Sequence, residues 1–263
     1  MKVRHRWATS VLISVFCGSL LAGCAPGVQT ASIASGTATT VTQKNVDWTP
    51  LLNAITKSEG ATLYRLQSSV SIQNGSLKTS YTVYGTIQLP DTINMQVHEN
   101  NFNIGMYQQG QVAYQEDNGT WIKMQPLQNL DAYQGYADVI EQAMKQGYKL
   151  DEMNQTYVMD EYCNVYRVTV PNGMAPLPAF LADAVGSSAK TLNDTASGVE
   201  YVFYVGQTSG YLRQVQTQSV NMVNNVGPML TSTTTLFSAI DQPTVAQMQI
   251  PSTLVQQLER GAN

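Results

Sequence analysis

The chain is short of charge. Only 12% of its 263 residues are Asp, Glu, Lys or Arg, and the formal net charge is −4. No cluster of Lys and Arg follows Arg6, so there is neither the phosphate-tracking stripe of a nucleic-acid binder nor a polybasic patch for anionic headgroups. Nucleic acid is excluded as a partner, and any lipid contact has to be apolar. Histidine is rarer still, with His5 and His98 the only two. Catalysis needs ionisable groups that converge, whereas Asp117, Asp151, Glu152, Asp160 and Glu161 fall at expected turns and strand ends. No Gly-x-Ser-x-Gly, His-Glu-x-x-His or phosphate-cradling glycine loop is present. An enzyme is therefore not expected. The ten methionines after Cys24 are dispersed and not grouped with histidine, so no metal site is expected either. Beyond Cys24 no apolar stretch approaches the ~20 residues of a membrane-spanning helix.

What the sequence does carry begins at its start. Lys2, Arg4, His5 and Arg6 precede an apolar run from Trp7 to Leu21, and Leu21-Ala22-Gly23-Cys24 closes it. The run is too short to span a bilayer, and the small residues at 22 and 23 suit a processing enzyme. Residues 1–24 in this order resemble a bacterial lipoprotein signal ending in a lipobox. The resemblance implies a signal peptide over 1–23, cleavage before Cys24, and diacylglycerol and further acyl chains such as palmitate on Cys24 Sγ. These chains are the only non-protein group expected, with no separate cofactor. Each buried CH₂ contributes about 0.8 kcal/mol, so two or three chains hold a protein almost permanently. The mature chain would be tethered to the extracytoplasmic face of the cell membrane. In a double-membraned cell the outer membrane is open to it, because Ala25 is not the aspartate associated with inner-membrane retention. Cys17 leaves with the signal and Cys24 is acylated, which leaves Cys163 alone and allows no intramolecular disulfide. Within the strand-like run Tyr162 to Val168, Cys163 reads as a small buried side chain. As a nucleophile it would need His98 for its base.

From Ala25 to Asn45 the chain is rich in Ala, Ser, Thr, Gly and Gln without apolar periodicity, a flexible linker whose r.m.s. reach is roughly 25 Å. Lipidated Cys24 and this linker make a segment 24–45, and 46–263 reads as one domain. Asp47 offers an N-cap to a helix over 47–59, with Trp48, Leu51, Leu52 and Ile55 on one face and Gly60 as its stop. The period then falls to 2. Leu77 to Leu89 alternates cleanly, Pro90-Asp91 turns, and Ile93, Met95 and Val97 alternate with Asn94, Gln96 and His98. Phe102, Ile104 and Met106 continue the pattern after Asn100-Asn101. Val112 to Tyr114 and Trp121 to Met124 flank the hairpin turn Asp117-Asn118-Gly119. Short turns between alternating strands make an antiparallel meander with one wet face. A second helix is expected over Leu130 to Met144, stopping at Gly147. Strands follow at 157–159, 162–170, 199–205, 211–223, 229–240 and 244–250, and a last short helix opens at Pro251-Ser252. Between them, Met174 to Val185 is apolar with one charge, and Phe180, Leu181 and Val185 can share a helical face. It reads either as a lid over a cavity or as a structural cap on the sheet.

As a whole, 46–255 resembles the LolA/LppX-like superfamily of lipoprotein carriers. The resemblance rests on the N-terminal amphipathic helix, the long strand pair around Tyr84-Gly85-Thr86-Ile87-Gln88-Leu89-Pro90, and the Gln109 to Tyr114 and Asn118 to Lys123 hairpin elements. A mid-chain helix and the closing stretch from Phe237 to Pro251 complete it. It implies an α+β fold, a strongly curved antiparallel sheet forming a half-open barrel with helices covering the concave face. An apolar cavity between them would receive a lipid or acyl chain. Flexible thioethers suit such a surface, and Met95, Val97, Ile104, Met106, Phe180 and Leu181 are the candidate cavity residues. The alternative is an envelope sensor or interaction module of the same fold with a filled core and a protein partner. Either would be a monomer.

Overall fold

The computed structural model describes residues 46–99, 102–171, 196–223, 227–245 and 248–261, all within a compact unit spanning Val41–Asn263. Cys24, the linker and the Met174 to Val185 segment, with Phe180 and Leu181, lie outside the described residues.

Among the described residues there are eleven strands: β1 (Leu63–Asn74), β2 (Leu77–Gln88), β3 (Thr92–Glu99), β4 (Phe102–Gln109), β5 (Val112–Asp117), β6 (Thr120–Met124), β7 (Asp151–Val158), β8 (Glu161–Val170), β9 (Ala196–Gly206), β10 (Leu212–Val223) and β11 (Gly227–Ser238). They make one antiparallel sheet in the order β6-β5-β4-β3-β2-β1-β11-β10-β9-β8-β7. Two meanders, β1 to β6 and β7 to β11, are thus joined through the single long-range pairing of β1 with β11. The sheet stays open, with β6 and β7 as its edges. The described helices are α1 (Thr49–Glu59), α2 (Gln134–Lys145) and α3 (Ser252–Gly261).

Residues opposite one another in antiparallel register share a face, so register divides the sheet into two sides. One side carries Tyr64, Leu66, Val70, Val83, Ile87, Ile93, Met95 and Phe237. It shares a buried cluster with Leu51, Ala54 and Ile55 of α1 and Tyr136, Ile140 and Ala143 of α2. Helix α1 opens at Thr49, two residues later than expected, with Trp48 and not Asp47 at its cap, and Asp47 Oδ1 accepts the Thr49 N–H at 3.0 Å. Ser58 Oγ donates to Ala54 O at 2.8 Å and accepts the Leu212 N–H at 2.9 Å, which ties α1 to β10. An aromatic group sets α2: Tyr133 stacks on Phe237 with ring centroids 4.1 Å apart, and the Tyr136 hydroxyl donates to Thr235 Oγ1 at 3.0 Å. Buried Tyr64 accepts the Ala132 N–H at 2.9 Å, and burial raises its phenol well above the ordinary value. Tyr64→Phe removes that acceptor and leaves a buried N–H unpaired. We expect a loss of about 1–2 kcal/mol, read as a lower urea midpoint at unchanged slope.

The third helix departs from expectation. Buried Leu254 of α3 packs with Tyr107, Trp121 and Tyr114, whose register puts them on the side opposite α1 and α2. Helices do not all lie on one face. The Trp121 indole N–H donates to Thr253 Oγ1 at 2.9 Å. Gln257 accepts the Trp121 backbone N–H and donates to its carbonyl, each at 2.7 Å.

Other departures have local causes. Strand β1 was not expected, because its buried row includes Ser68 among Tyr64, Leu66 and Val70 and so lacks clean apolar alternation. Strand β7 starts at Asp151, six residues before the expected run, and its register shifts between Met153 and Thr156. Helix α2 begins at Gln134, with buried Leu130, Ala132 and Tyr133 in the approach to it. The strand expected over 244–250 is turn and irregular chain among its described residues, and Val245 and Ile250 are exposed. Pro243 and Pro251 flank that segment, and neither can donate to a sheet ladder.

Candidate functional site

Of the six cavity candidates, four fall among the described residues, and the structure brings them together. Met95 pairs with Met106 and Val97 with Ile104 across β3 and β4, on the side that carries α1 and α2. Met95, Val97 and Met106 are buried in the main cluster and Ile104 is half-buried against it. Helix α1 packs on β9, β10 and α2, and α2 reaches β11 through Tyr133 and Tyr136. Near Gln108 the chain leading into α2 crosses this face: the Gln108 carboxamide accepts the Leu127 N–H at 2.7 Å and donates to its carbonyl at 3.2 Å.

A strip of buried hydroxyls lies on the same side, separated from the apolar patch by β2, and the sequence reading missed it. Ser68, Thr217, Ser219, Thr231, Thr233 and Thr235 all face the helix-bearing side of β1, β10 and β11. Ser68 Oγ and Thr235 Oγ1 lie 3.1 Å apart. Threonines two apart at 231, 233 and 235 were the available signal, but Leu230 and Leu236 on the alternate row made either face a possible core.

The opposite side holds a groove of about 620 Å³ lined by Arg65, Gln67, Tyr84, Thr86, Asn94, Gln96 and Ser238, with Leu66 and Gly85 at its floor. Its lining is amide and hydroxyl with one cation and no carboxylate. Asn94 Nδ2 donates to Gln249 O at 2.8 Å, so the chain before α3 borders it. His98 stacks on Tyr84 with ring centroids 4.9 Å apart, and His98 Nε2 lies 2.7 Å from the Tyr84 hydroxyl.

Ionisable groups gather elsewhere, in a network that holds the β9–β10 turn. Glu161 accepts from the Thr208 and Ser209 N–H groups at 3.1 and 3.0 Å and from Ser209 Oγ at 2.6 Å. Arg213 Nε lies 3.1 Å from Glu161 Oε1, and Arg213 Nη2 pairs with Asp160. The Glu161 and Arg213 side chains are 10% and 7% exposed. Burial alone would raise the Glu161 carboxyl, but the Ser209 bonds and the Arg213 charge outweigh it and hold the group below its ordinary 4.5. Gly206 makes room for this carboxylate, since a Cβ there would stand 2.4 Å from Glu161 Oε1. Cys163 is free and buried, and burial, with the Glu161 charge behind it, pushes its thiol up to about 11. It lies on β8 and His98 on β3, six strand spacings apart, or roughly 29 Å along the sheet. The two do not form a nucleophile and base. Among the described residues no three His, Cys, Asp or Glu side chains group to hold a metal, and no helix is long and apolar enough to cross a membrane.

No family model and no curated protein sequence matches the chain. Among solved structures it is similar to LprF from Mycobacterium bovis, at 11% identity over 78% of this chain and 95% of that one, with a TM-score of 0.47. A chain of the Pseudomonas aeruginosa MucA/MucB complex aligns at 8% identity over 76% of this chain and 60% of that one, with a TM-score of 0.32. A LolA superfamily protein from Nitrosomonas europaea aligns at 11% identity over 76% and 96%, with a TM-score of 0.26.

Proposed function

We propose that this chain is a lipid-anchored, extracytoplasmic and non-enzymatic protein that binds or passes on an acyl chain. Cys24 carries the anchor, on the cell membrane or on the outer membrane of a double-membraned cell. The acyl chain lies on the side of the sheet that carries α1 and α2, taken as the concave face of a half-open barrel. One observation carries the reading: Met95, Met106, Val97 and Ile104 form a wholly apolar patch across β3 and β4, on the side of the sheet that carries α1 and α2. An unbranched thioether pair beside a β-branched pair can repack around a flexible hydrocarbon.

The chain from Ala25 onward contains the whole compact unit and dispenses with the anchor. Purified after expression in bacteria, it is expected to carry acyl ligand in native mass spectrometry and solvent extraction, and to bind fluorescent fatty acids. A protein that is empty by both methods and binds no fatty acid sinks the proposal. Ile104 is only half-buried, so Ile104→Trp can add volume over the patch at modest strain. It is expected to weaken fatty-acid binding roughly tenfold while the thermal midpoint holds, because the added ring occupies hydrocarbon space.

A second reading, an interaction module with a filled core and a protein partner, is favoured by the groove on the opposite side. It expects a ligand-free core and a crosslink from a photoreactive group at Gln67 to one envelope protein, lost when Arg65 and Tyr84 are replaced by Ala.

A further inference from the structure

Two buried hydroxyls on the helix-bearing side have no hydrogen-bond partner. Ser219 of β10 and Thr231 of β11 face each other in register and are 2% and 6% exposed. Ser219 Oγ and Thr231 Oγ1 are both sealed from solvent and unpaired. Buried hydroxyls are ordinarily satisfied, and Ser68 and Thr235 in the same strip are. Leaving two unpaired costs more than a valine and an alanine would in their place. Side chains of antiparallel partners spring from Cβ atoms about 4.5–5.5 Å apart, so two O–H donors here can converge on one acceptor. Among the described residues their partners in the sheet carry no charge. Ile72 pairs with Thr231, Val199 with Ser219, and the adjacent pair is Thr217 with Thr233. An ionised carboxylate would be stranded in such a place, whereas a neutral carbonyl oxygen offers two lone pairs and needs no cation.

We propose that Ser219 and Thr231 receive the carbonyl oxygen of an acyl ester. Ile72, Val70 and Val83 then lead its hydrocarbon across β1 and β2 to Val97 and Ile104. The inference rests on the acyl-chain reading above and adds the linkage group and its place.

The test uses the chain from Ala25 onward with Ser219→Ala and Thr231→Val, and reads displacement of N-phenyl-1-naphthylamine by methyl laurate, laurate anion and dodecane. Removing two unsatisfied hydroxyls is expected to raise the thermal midpoint by about 2–4 °C. Affinity for methyl laurate should fall roughly tenfold, while affinity for dodecane, which has no ester, stays unchanged. Wild type should prefer the ester to the anion, and Thr231→Ser, which keeps the hydroxyl, should retain ester binding. Unchanged methyl laurate binding in the double variant overturns the proposal, and so does an equal loss of ester and alkane. A wild-type chain that binds dodecane but favours the ester no more than the double variant does overturns the ester site alone. A wild-type chain from which none of the three displaces dye overturns the acyl-chain reading as well.

Discussion

Replacing Arg213 by Met is expected to cost about 3 kcal/mol of stability, measured by urea unfolding. Arg213 and Glu161 are buried together, and removal of the guanidinium leaves a carboxylate with low exposure and no cation. Breaking one side of a buried pair is costly because the remaining charge stays desolvated. The double variant Arg213→Met/Glu161→Gln is therefore expected to recover a large part of the loss, since the amide oxygen can still accept from Thr208 and Ser209. The pH dependence carries a definite sign. The folded-state pKa of Glu161 lies below its ordinary 4.5. Its stabilising contribution is fully present above that value and is lost as pH falls through the folded pKa. Acidification below 4.5 should thus destabilise the wild type more steeply than Arg213→Met, in which one of the forces depressing the carboxyl is gone. Equal acid sensitivity in the two proteins would mean that Arg213 does not act on Glu161.

Gly85→Ala is expected to be comparably severe, at about 3 kcal/mol or more. A Cβ at this position would stand 2.2 Å from Asn94 O, 2.7 Å from Met95 Cα and 2.8 Å from Met95 Cγ. Two of those three atoms are backbone and cannot swing aside, so β2 and β3 would have to part. The damage should also reach the apolar patch, because Met95 is the residue pushed. Gly261→Ala, at the exposed end of α3 where nothing lies within 4 Å, serves as the control and should stay within about 0.5 kcal/mol of wild type. Paired thermal melts would decide the matter, and a Gly85→Ala protein as stable as the control would show that the strands have slack.

The sequence was most readable where one face is apolar and the other polar. Strands β2, β3 and β4 announce themselves through Val83, Ile87, Ile93, Met95, Val97 and Met106, and the same alternation puts the four patch residues on one face. It failed where the buried face is hydroxyl. Ser68 hid β1, and the threonines at 231, 233 and 235 concealed which row of β11 faces inward. Hydroxyls in a core are a tertiary fact, set by what they meet and not by the local period. The side taken by α3 was equally out of reach. Its apolar positions imply that it must cover something, but Tyr107 and Trp121, which it covers, lie more than a hundred residues earlier and on the wet row of their strands. Likewise Val245 and Ile250 look like strand residues, yet no neighbouring strand is offered to them.

An open sheet of this length ends in a row of unpaired peptide groups at each side, which is a standing template for another chain to extend. At one side the template is filled from within. The Gln257 carboxamide meets both the N–H and the carbonyl of Trp121, and so presents β6 with the same donor and acceptor that a twelfth strand would bring. The register shift in β7 breaks the repeat at the other side. A single side-chain amide, mimicking one peptide unit, thus acts as a chain terminator for sheet growth.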